Sequence, residues 1–479
     1  MSAPAAQPTS AGSSRATPDD FPGRWLVLVT VGIGTFMSAL DGSVVNTLLP
    51  VLSHALRTSV AGIEWVTTIY LLVISGVLLS VGRAGDLFGH KRLFLGGFAL
   101  FVIGSALCGQ AGSAHELVAL RVIQALGAAM LMATSPAILT RSFPTSHRGR
   151  ALGAQGTFTY LGLTVGPSLG GWLAEAFGWR SVFYINVPVG IAAIALAMRS
   201  IADDTVRKAE ERFDFVGAAL FTAGLVTLMM ALNQGQAWGW TSALTLGAVV
   251  AALALLAAFV RVELHRPAPM LDLSLFGDRT FSASAASALL NYSCVYAVTF
   301  VLPFLLIQGR GLGTAQAGLV LTAQPIVMAI VAPVSGTLSD RMGSRGLATA
   351  GMVLLAAGLL ALGLLVASGT LWHLAAALAL VGLGIGIFVS PNNSALMGAA
   401  ARNRQGIASG VLATARNVGM VLGVGFAGAI FTTVLGRAPS PTVGLVAGVR
   451  ASLLAAAGVA LLGAVTSAVR GEVRRPDAA

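Results

Sequence analysis

The sequence predicts an all-α integral membrane protein of fourteen transmembrane helices, arranged as two six-helix bundles in parallel pseudo-repeat with two further helices inserted between them. Three observations carry this. The 479 residues are 56% hydrophobic and only 10% charged, with a mean hydropathy of +0.84, a balance that no water-exposed domain surface tolerates. Apolar runs of roughly 20 residues, enough to cross a bilayer, recur along the whole length. One loop also occurs twice: Gly82, Asp86, Gly89 and Lys91 return as Gly336, Asp340, Gly343 and Arg345, every pair offset by 254 residues.

Residues 1–24 are rich in Ala, Ser, Thr and Pro and lack the charged-then-apolar order of a secretory leader, so they read as a disordered cytoplasmic tail. Residues 25–200 hold six apolar runs, at 25–50, 63–81, 93–111, 117–140, 151–173 and 181–198, and Gly and Pro inside them are normal for membrane helices. Residues 201–279 carry charged cytoplasmic loops and the inserted pair, 215–232 and 242–260. Residues 280–470 repeat the six-run pattern at 281–307, 315–338, 347–367, 371–397, 406–435 and 443–469, and residues 471–479 form a second cytoplasmic tail. The net charge of +11 is spread between apolar runs and never gathers into a dense stripe, which argues against nucleic acid. With spans alternating from a cytoplasmic N-terminus, the basic residues fall mostly on one side, the bias expected of a multi-pass protein of the cytoplasmic membrane. Cys108 and Cys294 sit in apolar runs without ligand spacing, so neither a disulfide framework nor a metal site is expected.

Asp41, in L-D-G-S-V-V-N-T-L-L-P, lies about 16 residues past Trp25 and so roughly 24 Å along its helix. A carboxylate at that depth costs roughly 2.5 to 3.5 kcal/mol to insert, and such residues usually face a cavity and work. Asp41 is therefore the candidate proton acceptor, and the only carboxylate expected well inside a span. Arg121, on the fourth span, is its candidate partner, able to bias a neighbour's protonation without losing its own proton. A purely structural tie between the two helices is the alternative.

The repeated loop reads as a cytoplasmic gate: Gly82, Asp86, Gly89, Lys91 and Arg92 in the first copy, Asp340, Arg341 and Arg345 in the second. Charge contacts at helix ends can be made in one conformer and broken in another. On the fifth span Gly162, Gly166 and Gly170 recur every four residues beside Pro167 and Gly171, leaving one face as nearly bare backbone. Close packing or a pivot between conformers both fit. Polar side chains at membrane depth supply candidate cavity residues: Asn46, Trp65, Tyr70, Gln124, Tyr160 and Asn186 from the first half. Asn291, Tyr292, Gln324, Asn392, Asn393 and Arg416 come from the second. Each serves equally well as an interhelical hydrogen bond. Lys91 and Lys208 are the only lysines and neither follows a glycine, so there is no G-K-[ST] phosphate loop, and no H-E-x-x-H or G-x-S-x-G motif is present either. An enzyme is not expected.

These motifs resemble the major facilitator superfamily, specifically its fourteen-span drug:proton antiporter branch. The resemblance runs from Leu40 to about Gly423 and is carried by L-D-G-S-V-V-N-T-L-L-P, W-V-T-T-I-Y-L-L, the Gly82–Arg92 loop, Arg121 with Gln124 and Gly127, G-P-S-L-G-G, and W-R-S-V-F-Y-I-N-V-P-V-G. It implies alternating access, with Asp41 and Arg121 on the proton and drug path, Asp86 and its basic neighbours at the gate, and Gly166 with Pro167 on the antiport helix. Ala84, Leu87 and Ala125 depart from the family pattern; Leu87 stands where an arginine is usual, although Arg341 keeps it in the second copy. The implied activity is proton-coupled efflux of lipophilic cationic or neutral drugs, with one dedicated antibiotic or metabolite as the alternative solute and a non-transporting receptor as the remote one. The partners expected are small lipophilic solutes, protons and lipid, with a monomeric chain and no cofactor beyond the proton gradient.

Overall fold

The computed structural model describes residues 23–143, 148–203, 214–266, 273–400 and 405–470. The two predicted tails, apart from Gly23 and Arg24, lie outside the described residues. Every span is helical: α1 (Arg24–Ala55), α2 (Val60–Phe88), α3 (His90–Cys108), α4 (Ala114–Ser142) and α5 (Arg148–Phe177). α6 (Ser181–Tyr184) and α7 (Asn186–Ser200) together make the sixth crossing. The inserted pair is α8 (Phe215–Trp238) and α9 (Ala243–His265); then follow α10 (Arg279–Pro303), α11 (Thr314–Met342), α12 (Ser344–Leu365), α13 (Leu371–Ala399), α14 (Gln405–Arg437) and α15 (Pro441–Ala468). Among the described residues twelve helices qualify as spans by length and apolarity, and α5 and α8 complete the fourteen crossings. α5 falls short because glycine and polar residues replace the aliphatic ones, which reflects its work as a packing helix.

Side chains fix the helix starts. Ser59, Ser113, Asp214, Ser242, Asp278 and Ser440 each accept a hydrogen bond from the free N–H groups of the turn that follows. Thr370 and His373 form a reciprocal capping box at the start of α13. α10 runs past Pro303 into a π-helical turn, Phe304–Gly309, where the ring removes a donor from the regular ladder.

The repeat is visible in the packing. α1 packs on α5 as α10 does on α14, α3 on α4 as α12 on α13, α2 on α4 as α11 on α13, and α3 on α7 as α12 on α15. The halves meet along two seams, α5 with α11 and α2 with α14. The inserted hairpin covers the second: α8 lies against both α2 and α14, with Thr222 facing Gly76, Met229 facing Gly425, and Trp240 Nε1 donating to Thr433 Oγ1 at 3.0 Å. Leucines and valines on α9, including Leu244, Leu246, Val250 and Leu253, stay exposed on its outer face, the surface a lipid tail would cover.

The duplicated segment is not a loop: α2 runs to Phe88 and α3 starts at His90, α11 runs to Met342 and α12 starts at Ser344, and the single residue between each pair is a glycine. Gly89 turns the chain from α2 into α3 at φ +102°, and Gly343 turns α11 into α12 at φ +86°, conformations that side chains rarely adopt. Gly82 instead sits inside α2 with open space around it. Gly89→Val or Gly343→Val is therefore expected to cost about 1–3 kcal/mol, whereas Gly82→Ala is neutral or slightly stabilising. Thermal melts in detergent check this contrast, and equal melting temperatures for the three variants would refute it.

Candidate functional site

Asp41 stands halfway along α1 and is 2% exposed. Arg121 of α4, 1% exposed, reaches it through Nη1 onto Oδ2. Gln124, one turn further along α4, donates from Nε2 to Asp41 Oδ1 at 2.8 Å and accepts from Arg121 Nη1 at 2.6 Å. The Gln124 amide also reaches Ser105 of α3 at 2.6 Å, and Asn186 at the start of α7 donates to Asp41 Oδ1 at 3.4 Å. Arg121 Nε donates to the Val66 carbonyl of α2 at 3.2 Å, and the Tyr70 ring lies 4.0 Å from the guanidinium carbon. Five helices thus converge on one ion pair. Such a buried pair is tolerable only because nearly every remaining donor and acceptor is used.

Beside this pair a cavity of about 430 Å³ opens between the two halves. Its wall is mainly apolar and includes Arg121, Tyr70, Tyr160, Tyr292, Gln324, Asn393 and Arg416, with Asn46 held by a 2.7 Å hydrogen bond from Thr67. Asp41 is not part of that wall; Arg121 stands between it and the space. Of the other cavity candidates, Gln124 and Asn186 serve Asp41. Asn291 donates to the Met352 sulfur at 3.4 Å, and Asn392 bonds Ser284 O and the buried Arg470. Trp65 is half-buried in the helix packing. Sequence reading missed Thr35, Gln155, Tyr296 and Asn417, which also line the cavity. Tyr296 was findable, one helical turn after Tyr292.

The cavity reaches from the level of Asn46 and Pro167 toward the end carrying the Gly89 and Gly343 turns, with Pro136 and Asn393 on its wall. The opposite end is closed. There α5 meets α11 with backbone in contact: Gly171 faces the backbone of Thr314 and Ala315, and Gly318 that of Pro167 and Ser168. Thr314 Oγ1 donates to Gly171 O at 2.8 Å, the Ser168 and Thr322 hydroxyls lie 2.6 Å apart, and Glu175 accepts from the Ala315 N–H at 3.0 Å. Gln308 of the π turn leans on Pro50 and Ser53 of α1. Glu64, 1% exposed in the second turn of α2, packs against Gly428 of α14. Asp41 is therefore not the sole buried carboxylate of the spans, although among the described residues it alone lies mid-helix. A glutamate one residue inside the predicted apolar edge looked like a border residue because no partner helix was visible.

The glycine face of α5 packs on α1: a Cβ on Gly162 would lie 2.7 Å from Phe36 O, and one on Gly170 2.5 Å from Val44 Cγ1, with Gly166 against Ser43. Among the gate candidates, Lys91 Nζ pairs with Asp203 beyond α7 at 2.8 Å, a hydrogen bond that holds the exposed Asp203 carboxyl below the usual range. Arg92 is exposed at the start of α3, as are Arg341 and Arg345 at the matching α11–α12 junction. The side chains of Asp86 and Asp340 lie outside the described residues.

The sequence matches the family model described as Major Facilitator Superfamily over residues 31–277, 215–424 and 284–478. The chain belongs to that superfamily. Relatives within it include the riboflavin transporter RibZ of Clostridioides difficile, 35% identical with 85% of this chain and 88% of that protein covered. The multidrug resistance protein Stp of Mycobacterium tuberculosis is 33% identical, covering 87% of this chain and 77% of that protein. The tetracenomycin C resistance and export protein of Streptomyces glaucescens is 31% identical, covering 86% and 77%. The crystal structure of a bacterial homologue of the lysosomal transporter Spinster, inward-facing and unoccupied, shares the fold with a TM-score of 0.68 at 15% identity, covering 93% of this chain and 96% of that one. Major facilitator proteins are transporters; of these relatives one is named for multidrug resistance and another for resistance to, and export of, an antibiotic.

Proposed function

We propose that the chain exports lipophilic solutes across the cytoplasmic membrane in exchange for protons, by alternating access, with both termini cytoplasmic. The observation that carries this reading is the central apolar cavity, closed at one end by the α5–α11 seam and walled by an arginine whose carboxylate partner is buried behind it. Protonation of Asp41 weakens its hold on Arg121, freeing a guanidinium at the cavity wall, so proton and solute occupancy become linked through one side chain. One proton moving down about 100 mV supplies roughly 2.3 kcal/mol, and one pH unit about 1.4 kcal/mol more. Together these support a solute gradient of a few hundredfold.

The expectation of a cationic solute rested on Asp41 facing the space. With Arg121 in between, the described wall offers a cation no carboxylate, and the reading keeps the neutral class. The relatives named for riboflavin and for tetracenomycin C favour a second reading, a dedicated exporter of one metabolite or antibiotic; those named for multidrug resistance favour a broad one. The test is transport of a dye panel in proteoliposomes with and without an imposed pH gradient. Export by antiport predicts dye movement against the proton flow, abolished by a protonophore; movement with the proton flow, or none that depends on it, refutes the reading.

A further inference from the structure

The two arginines on the cavity wall are not equivalent. Arg121 is neutralised by Asp41 on the N-terminal side. Arg416 of α14 also lines the cavity, and no described residue of that wall is a carboxylate, so the space carries one uncompensated positive charge. The Nε of Arg416 finds no hydrogen-bond acceptor among the described residues. Three phenols share its cavity wall. Tyr292 lies with its ring centre 6.0 Å from the guanidinium carbon, Tyr296 follows one turn along α10, and Tyr160 faces them from α5 in the other half. Tyr160 and Tyr296 line the same cavity as Arg416.

A half-buried guanidinium on an apolar wall, with its Nε shielded and unbonded, is favoured by an anion that joins it. The guanidinium offers a planar fork that suits a carboxylate or a phenolate, and the tyrosines offer flat faces for a ring. We propose that the Arg416 wall is a subsite for planar aromatic solutes bearing an anionic group, the ring held among Tyr160, Tyr292 and Tyr296 and the anion on the guanidinium. This deepens the proposed function and rests on its reading of the cavity as the solute site. It reverses the charge preference that a buried aspartate suggests. It also bears on energetics: an anion leaving as a proton enters moves charge in the same electrical direction twice, so its export depends more steeply on membrane potential than that of an uncharged analogue.

The test uses the full-length chain in detergent, with fluorescein and its uncharged dimethyl derivative as probes and anisotropy as the readout. Fluorescein is expected to bind about tenfold more tightly than the uncharged derivative. Arg416→Gln should bring that ratio close to one, and Arg416→Lys should keep part of it. Tyr292→Ala should weaken both probes alike. Equal binding of the two probes to the unmodified chain overturns the proposal, as does a ratio that survives Arg416→Gln; if that variant fails to fold, the comparison on the unmodified chain alone decides. Movement of the uncharged derivative under a pH gradient in vesicles separates the two readings. If it moves and the charged probe has no advantage, only the subsite falls. If neither probe moves while the binding ratio holds, the transport reading falls and the subsite stands.

Discussion

Asp41→Asn is expected to abolish proton-driven export, lowering it at least about a hundredfold, and to destabilise the protein by about 3 kcal/mol. The substitution keeps the size of the side chain and an acceptor oxygen, but leaves Arg121 charged, 1% exposed and without its counter-ion. The stability loss and the transport loss have different origins, and a double variant separates them. Asp41→Asn with Arg121→Gln removes both charges, and replacing a buried pair by neutral groups is often nearly neutral in stability. The melting temperature should therefore return most of the way, while transport under a pH gradient stays lost because no group remains to take the proton. Recovery of gradient-driven transport in the double variant would mean that the pair is only a tie between α1 and α4.

That pair was readable from sequence because a charge in an apolar run demands a reason, and two such residues on neighbouring spans suggest each other. Most of the fourteen spans were readable on the same ground, since twelve declare themselves by their own composition, while α5 and α8 fall short of that mark. What the chain could not declare was direction. Asp41 turns into the N-terminal bundle and Arg121 turns toward the cavity, a choice set by Gln124 and Asn186, residues that looked like cavity lining. Nothing in a linear apolar pattern marks which face of a buried helix meets a cavity, because all faces are apolar. The same limit explains why Asn291 and Asn392 lie inside the C-terminal bundle while Asn393, the next residue, reaches the space. The inserted hairpin shows the converse case: its existence was legible, and its position over the α2–α14 seam depended on surface fit at Gly76 and Gly425.

Gly318→Val is expected to hold the closed end open and to reduce transport at least about tenfold with the cavity residues intact. A Cβ at Gly318 would meet the carbonyl carbon of Pro167 at 2.7 Å and Ser168 Cα at 3.2 Å, which are backbone atoms with no rotamer to yield. The two helices must separate. Overpacking of this kind costs about 1–3 kcal/mol, and separation also breaks the Thr314, Ser168–Thr322 and Glu175 hydrogen bonds across the seam, each worth about 0.5–1.5 kcal/mol. The sum matches the few kcal/mol that commonly divide two conformers, so the population moves to the state in which this seam is parted. Both native cysteines are buried, which makes a single introduced thiol a clean reporter. Thr322→Cys should resist a membrane-impermeant maleimide in the parent background and react readily once Gly318→Val is added. Labelling that stays unchanged alongside full transport would show that the α5–α11 contact is incidental to the cycle. Reactivity that rises while transport falls would instead show that the same bare-backbone contact that closes this end must also re-form in every turnover, because a carrier left open there has lost the step that returns the cavity to the other side.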